Sequence, residues 1–315
     1  MSIKPKALQK NDTVSLIAPA GACKKEHLNL ALAWLCSMGF QPVYRKDLYD
    51  TLDGEGYLAG DDQRRLEELH QAFLDPKIKG ILCLRGGYGS LRLLPKLDRD
   101  IISRNPKVFI GYSDITSLLN FMTQSCGVGG FHGPMPSEKV KTPAGLKTTT
   151  SLLRAITGSE PRDLISDRES ISIAGGRGRG TICGGCLSLV VHTLGTPYEI
   201  DTRDKILFLE DIGEEPYRID RLLTHLKLAG KLDNLQGLAF GKILRGKDES
   251  GTHLVDSYEK EIIGIIKETV SSASYPVVYG LPAGHGTVNL TIPFGIQAEL
   301  DAVTASLRIL ETAVR

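Results

Sequence analysis

The stretch Lys107–Met122, KVFIGYSDITSLLNFM, leaves the chain one local option, a strand that turns sharply into a helix. Val108-Phe109-Ile110 is apolar and β-prone. Ile115, Leu118, Leu119 and Met122 recur at the three- and four-residue spacing of an amphipathic helix. Only Gly111-Tyr112-Ser113-Asp114 lies between them. A serine at such a turn projects its hydroxyl above the strand end, beside the unpaired N–H groups of a helix N-terminus, which can hold a developing oxyanion. The match to a Gly-x-Ser-x-Gly elbow is partial, because Ile115 stands where the second glycine would be. Capping of the helix is the competing use of Ser113.

The same alternation extends over the first 140 residues. Strands are expected at Val14–Ala18, Gln41–Tyr44, Gly80–Leu84, Lys107–Ile110 and Gly129–His132, with helices at Leu28–Met38, Arg64–Leu74, Ser90–Leu97 and after Ser113. Strands separated by helices, without tight hairpin signals, imply a parallel sheet wrapped by helices. Ligands of such sheets lie outside the carboxyl ends of the strands, where both Arg85-Gly86-Gly87-Tyr88-Gly89 and the Ser113 turn would open. A helix around Leu146–Thr157 precedes Gly/Arg-rich sequence up to Gly180 with little periodicity. The remainder is strand-rich (Lys205–Leu209, Gly237–Lys242, Pro276–Tyr279, Gln297–Asp301, Ser306–Glu311), with helices near Ile219–Ala229 and Ser257–Thr269. The fold class is therefore α/β: an N-terminal parallel-sheet domain over 1–145, a connection over 146–180, and a smaller, mixed, β-rich domain over 181–315.

Several function classes are excluded by composition. A net charge of +1 over 315 residues gives no electrostatic reason to expect nucleic acid or an anionic membrane. No apolar run approaches the roughly 18–20 residues that span a bilayer. Val14–Ala22 has small residues like a signal cleavage site, but polar Gln9–Thr13 precedes it, and a buried first strand ending in a Pro/Gly turn fits better. Six cysteines in a chain this long suit buried thiols in a reducing cytoplasm. Cys183-Gly-Gly-Cys186 has no second CxxC to complete a tetrahedral site, so neither a metal nor a cofactor is expected. The glycine loops lack the GxxxxGK[ST] pattern of a phosphate cradle.

A serine nucleophile needs a base with a pKa near neutrality and a partner that fixes its tautomer. His27, His70, His192, His225 and His253 have no supporting motif. His132, in Gly-Phe-His-Gly-Pro, and His285, in Pro-Ala-Gly-His-Gly, both sit in glycine-flanked segments that allow close backbone approach. Among carboxylates, Glu210 and Asp211 end the apolar run Ile206–Leu209. Adjacent strand residues point to opposite faces, so at most one of them faces a site.

Taken together, Leu84-Arg-Gly-Gly-Tyr-Gly89, Ile110-Gly-Tyr-Ser-Asp114, His132-Gly-Pro-Met135, Leu209-Glu-Asp211 and Pro282-Ala-Gly-His-Gly286 resemble, in order and separation, the muramoyl-tetrapeptide L,D-carboxypeptidases. Val14–Gly21, Tyr57–Gly60 and Leu194–Pro197 add further matches, so nearly the whole chain is covered. The resemblance implies a serine peptidase with Ser113 as nucleophile, Glu210 as orienting acid and His285 as base, with the backbone N–H groups of Gly87 and Asp114 as oxyanion hole. It also implies a metal-free cytoplasmic homodimer that releases D-alanine from murein tetrapeptides during peptidoglycan recycling. By position, Arg85, with Gly86 and Tyr88, is a candidate for substrate contact; Arg85 serves equally well as an ion-pair partner. Many members have Gly-Gly-Asn-Leu where this chain has Gly184-Gly-Cys-Leu187, so no substrate role follows for Cys186. The resemblance extends to microcin C immunity carboxypeptidases, which cleave peptidyl-nucleotides; an adenine-stacking aromatic in the second domain would favour that branch, but the only tryptophan, Trp34, lies in the first. A reading of another class, a non-catalytic peptide- or sugar-binding protein, would be favoured by loss of the serine, glutamate or histidine; all three are present.

Overall fold

A computed structural model describes residues 2–51, 56–136, 142–158, 164–246 and 255–315. The chain divides into two compact units. Met1–Pro161, Leu290–Ile296 and Thr312–Arg315 form unit 1; Arg162–Asn289 and Gln297–Glu311 form unit 2.

In chain order unit 1 contains β1 (Thr13–Ile17), α1 (Lys25–Ser37), β2 (Gln41–Val43), α2 (Asp62–Leu74), β3 (Ile78–Cys83), α3 (Arg99–Arg104), β4 (Val108–Gly111), α4 (Thr116–Ser125), β5 (Gly130–His132) and α5 (Pro143–Thr157). Unit 2 follows with β6 (Leu164–Ile165), β7 (Ile171–Ala174), β8 (Arg177–Cys186), α6 (Leu187–His192), β9 (Lys205–Ile212), α7 (Pro216–Leu228), β10 (Gly237–Leu244), α8 (Val255–Thr269) and β11 (Val277–Tyr279). The chain then returns to unit 1 for β12 (Ile292–Phe294) and ends unit 2 with β13 (Gln297–Asp301) and β14 (Ser306–Ile309).

The sheet of unit 1 has the order β12-β5-β4-β3-β1-β2. Its first five strands in sequence run parallel, and β12 pairs antiparallel with β5. β1, β3 and β4 are buried almost throughout. That is why they read as unbroken apolar runs: a parallel sheet is covered on both faces. The second sheet has the order β6-β14-β13-β8-β9-β10-β11-β7. β8, β9, β10 and β11 are parallel, and the flanking strands are antiparallel. The α/β class, with a parallel sheet followed by a mixed one, is as the sequence implies. Among the described residues no helix is long and apolar enough to cross a membrane.

Three segments show how packing selects local structure. Ser90–Leu97, expected as a helix, forms two short 3₁₀ turns, Ser90–Arg92 and Leu94–Lys96. Pro95 lacks the N–H that a continuing α-helix would need. Within the expected connection over 146–180, α5 packs in unit 1: the Leu8 amide donates to the Ile156 carbonyl at 2.8 Å and Trp34 Nε1 donates to Thr149 Oγ1 at 3.0 Å.

The Gly/Arg-rich run opens the ten-residue β8. Arg177 and Arg179 pair across the strand with Asp301 and Glu299. The alternate glycines leave room for neighbouring backbone: a Cβ on Gly178 would lie 1.7 Å from the Gln236 carbonyl oxygen. The alternation is charge and glycine, not charge and apolar side chain, so hydrophobic periodicity does not see it.

Gly184 carries the same constraint at the centre of the sheet. It has φ +122°, and an added Cβ would meet the Phe208 carbonyl oxygen at 1.9 Å. Gly184→Ala is expected to destabilise the protein by roughly 2–4 kcal/mol, through strain and backbone clash. Thermal unfolding of the purified variant beside wild type checks this.

Candidate active site

In unit 1, β4 ends at Gly111, Tyr112 stays extended, and Ser113 takes φ +61° before a 3₁₀ turn (Ser113–Ile115) feeds α4. Left-handed backbone at a non-glycine residue is costly and recurs at functional turns. Ser113 itself is half-buried. Its turn is held by Asp114, whose carboxylate oxygen Oδ2 accepts from the Ser90 amide at 2.8 Å. The Ser90 hydroxyl donates to the Asp114 carbonyl at 2.6 Å. Burial raises the Asp114 pKa, with the Ser90 hydrogen bonds acting in the opposite direction.

The 85–89 loop lies against this turn. A Cβ on Gly86 would stand 2.8 Å from Ser113 Cβ, 3.0 Å from its Oγ and 3.1 Å from the Asp114 amide nitrogen, so only glycine fits. Gly87 and Gly89 have positive φ. The Gly21 amide donates to the Gly86 carbonyl at 2.9 Å. Below the loop, the guanidinium of fully buried Arg65 donates to the carbonyls of Pro19 (2.7 Å) and Gly89 (2.9 Å) and pairs with Asp62. The Arg85 guanidinium donates to the Ala22 carbonyl, and Tyr88 is exposed with its ring 6.0 Å from that of Tyr57.

In unit 2, Glu210 and Asp211 point to opposite sides of β9, as strand alternation requires. Asp211 Oδ2 accepts from the Ser188 amide in the first turn of α6 at 2.7 Å, and the Cys186 thiol lies 3.5 Å from Oδ1. Burial and the Asp211 charge push the Cys186 thiol well above its ordinary pKa. The Cys186 side chain therefore belongs to the Asp211 side of the strand. Cys183 is also buried, its pKa pushed up to about 12 by burial. Among the described residues no group of three or more potential ligands is placed to hold a metal.

Fully buried Glu210 turns the other way. Its Oε2 accepts from the His285 backbone N–H at 3.1 Å and lies 2.6 Å from His285 Nδ1. Burial disfavours the imidazolium of His285, but the Glu210 charge and hydrogen bond outweigh it and raise the pKa above its ordinary value. Nδ1 is thereby committed to the carboxylate. The loop reaches this position only because Gly284 has φ +100° and no side chain: a Cβ there would lie 2.4 Å from Glu210 Oε2. A Cβ on Gly241 would strike the Ala283 carbonyl oxygen at 2.4 Å. Buried Asn289 closes the loop, its Oδ1 accepting from the Gly284 amide at 2.9 Å.

The other sequence candidates have structural surroundings. His132 is fully buried in β5, stacked 5.6 Å from the Phe294 ring with Tyr112 at its edge. His70 Nε2 accepts from the Asp98 amide at 3.1 Å. Trp34 is buried in unit 1. Arg65, Ser90 and Asn289 are supporting residues that sequence reasoning passed over. Of these only Asn289, four residues beyond His285, carried a positional hint.

Comparison with known proteins identifies the family. Residues 14–133 match the LD-carboxypeptidase N-terminal domain and residues 179–300 the LD-carboxypeptidase C-terminal domain. The chain belongs to the LD-carboxypeptidase family. It is a serine-type peptidase of that family. It is 38% identical to the probable murein peptide carboxypeptidase of Bacillus subtilis, over 96% of this chain and 92% of that protein. It is 32% identical to the murein tetrapeptide carboxypeptidase of Pseudomonas aeruginosa, over 91% and 92%. An MccF-like protein from Bacillus anthracis superposes with a TM-score of 0.86 at 29% identity, covering 98% of this chain and all of the other. MccF itself is a microcin C7 self immunity protein.

The Glu210–His285 geometry fixes an expected titration. His285 is expected to titrate, followed by NMR, above the ordinary histidine value of about 6.5. In Glu210→Gln the larger raising charge is gone, the smaller influence of Asp211 stays, and burial, the largest influence, remains, so the pKa is expected to fall below that value. A wild-type and variant pair with the same midpoint would contradict the assignment of cause.

Proposed function

We propose that this carboxypeptidase releases the terminal D-alanine of murein tetrapeptides, with Ser113 as nucleophile, His285 as base and Glu210 as the acid that orients it. The observation that carries the reading is the buried Glu210 carboxylate on His285 Nδ1 at 2.6 Å. A carboxylate there stabilises one imidazole tautomer and the imidazolium that forms after proton transfer. The left-handed Ser113 turn beside the 85–89 glycine loop supports the nucleophile. The murein substrates named for the relatives in Bacillus subtilis and Pseudomonas aeruginosa support the substrate class.

In this mechanism Ser113 Oγ attacks the carbonyl that joins the L-centre of a diamino acid to D-alanine, and His285 Nε2 takes the hydroxyl proton. The backbone N–H groups of Gly87 and Asp114 hold the oxyanion. The tetrahedral intermediate collapses, His285 protonates the departing D-alanine amine, and an ester to Ser113 remains. Water, deprotonated by His285, then hydrolyses the ester and restores the serine. Arg85, Gly86 and Tyr88 are proposed to line the substrate side of the loop. The protein acts in the cytoplasm as a homodimer, on peptides returned by wall turnover.

Likeness to the MccF-like protein makes a peptidyl-adenylate the second substrate to assay. Against it stands Trp34, whose indole is spent on the interior of unit 1 and on Thr149.

D-Alanine release from a diaminopimelate-containing tetrapeptide is expected from wild type, with Ser113→Ala reduced by a factor of about 10³ or more. Mass spectrometry of the products, with a peptidyl-adenylate in parallel, checks both substrates; cleavage of the adenylate alone would overturn the murein reading. The acid limb of kcat/KM follows His285: only the neutral ring accepts the serine proton, so activity falls as pH drops through the raised pKa.

A further inference from the structure

A cavity of about 400 Å³ opens in unit 2 beside the His285 loop. Residues 280–283 and 286–288, on either side of His285, make one wall; Lys242, Leu244, Asp167 and Glu169 make the other. The size is that of a small-ligand site, roughly 300–1,000 Å³. It lies past the carboxyl ends of the parallel strands β10 and β11, where open α/β sheets bind ligands. None of the residues given catalytic roles above lines it.

The lining is divided by chemistry. Leu281, Pro282, Ala283, Val288 and Leu244 provide an apolar wall suited to a methylene chain. Facing them, Lys242 Nζ is paired with Glu169 and lies 4.0 Å from Glu259, and Asp167 adds a second carboxylate to the lining. The pair is open to solvent, Lys242 being 30% and Glu169 70% exposed in their side chains. Such an exposed pair contributes little to stability, so a ligand with both charges can replace it at little cost. One lysine against two carboxylates leaves the lining net negative, which disfavours a phosphate or a simple carboxylate.

The acidic turn is also fastened to the catalytic loop. The Ser170 amide donates to the Asp167 carbonyl at 3.1 Å, and the Ser170 hydroxyl donates to the Gly280 carbonyl at 3.1 Å. Gly280 has φ +87°, and a Cβ there would lie 3.1 Å from the Glu169 carbonyl oxygen. Whatever the turn recognises is thereby registered to the segment that carries His285.

We propose that this cavity is the subsite for the zwitterionic end of a diamino acid side chain, on the residue whose carbonyl is attacked. Its methylenes lie along Leu281 and Val288, its ammonium meets Asp167 and Glu169, and its carboxylate meets Lys242. The inference rests on the murein reading above and adds the element that selects diaminopimelate over other residues at that position.

Three tetrapeptides that differ only in the third residue (diaminopimelate, lysine or norleucine) test it. Wild type is expected to show kcat/KM falling in that order, with diaminopimelate about tenfold or more above norleucine. Lys242→Met should bring diaminopimelate down to the lysine level. Asp167→Asn with Glu169→Gln should bring lysine down to norleucine, both effects residing in KM. Norleucine cleaved within twofold of diaminopimelate by wild type, or variants that lower all three equally, would overturn the subsite alone. Cleavage of none of the three would overturn the murein reading and the subsite with it.

Discussion

A carboxylate buried completely at the end of a strand is costly unless it is met by hydrogen-bond donors. Glu210 is in that position, and the arrangement of unit 2 around it follows from the need to supply them. His285 provides two donors from one residue, its backbone N–H and its ring. For both to reach one oxygen, the chain after β11 must fold back tightly over β9 and β10. That demand explains three features at once: the left-handed Gly284, the missing side chain at Gly241, and the Asn289 amide oxygen that receives the Gly284 N–H.

Unit 1 solves a related problem by holding a backbone turn in place. The Ser113 turn has no residues to spare, so its strain is absorbed by neighbours that leave no room for change. Gly86 abuts the serine, Ser90 holds Asp114 at both its carboxylate and its carbonyl, and Arg65 ties the 85–89 loop to the segment after β1. The two units thus hold their functional groups by different means. One fixes a side-chain pair through charge and burial, the other fixes a turn through close packing of glycines. The proposed diamino acid subsite would extend the first device, since the acidic turn is fastened at Gly280 to the loop that carries His285.

Much of this was legible in the sequence because the elements concerned are local. Strand β4 and helix α4 announce themselves through apolar periodicity, and the turn between them is defined by what is left over. Glycine-flanked His285 and strand-end Glu210 stood out by the same local logic. The places where pattern and structure parted are those where a residue answers to a distant neighbour. Ser90–Leu97 has the periodicity of a helix, but Pro95 interrupts the hydrogen bonding. Arg177–Gly180 looks like linker, yet its arginines pair with Glu299 and Asp301 and its glycines admit the backbone of Gln236 and Asp204. Neither partner lies within a hundred residues for the arginines, so no window along the chain contains the signal.

By itself the sequence determined the class of fold, the strand-turn-helix that presents Ser113 and, through its ordered set of motifs, the family. Those are properties of short segments, where apolar spacing and backbone permissiveness act over a few residues. What only the tertiary structure decided is which member of each ambiguous pair is turned to which use. Glu210 and Asp211 are adjacent and chemically alike; the pleat sends one to His285 and the other to Ser188. His132 and His285 both sit among glycines, yet one is stacked in the interior beside Phe294 and the other rests on a carboxylate. Burial and partner choice are set by chain segments tens of residues away, and that information exists only once the chain has packed.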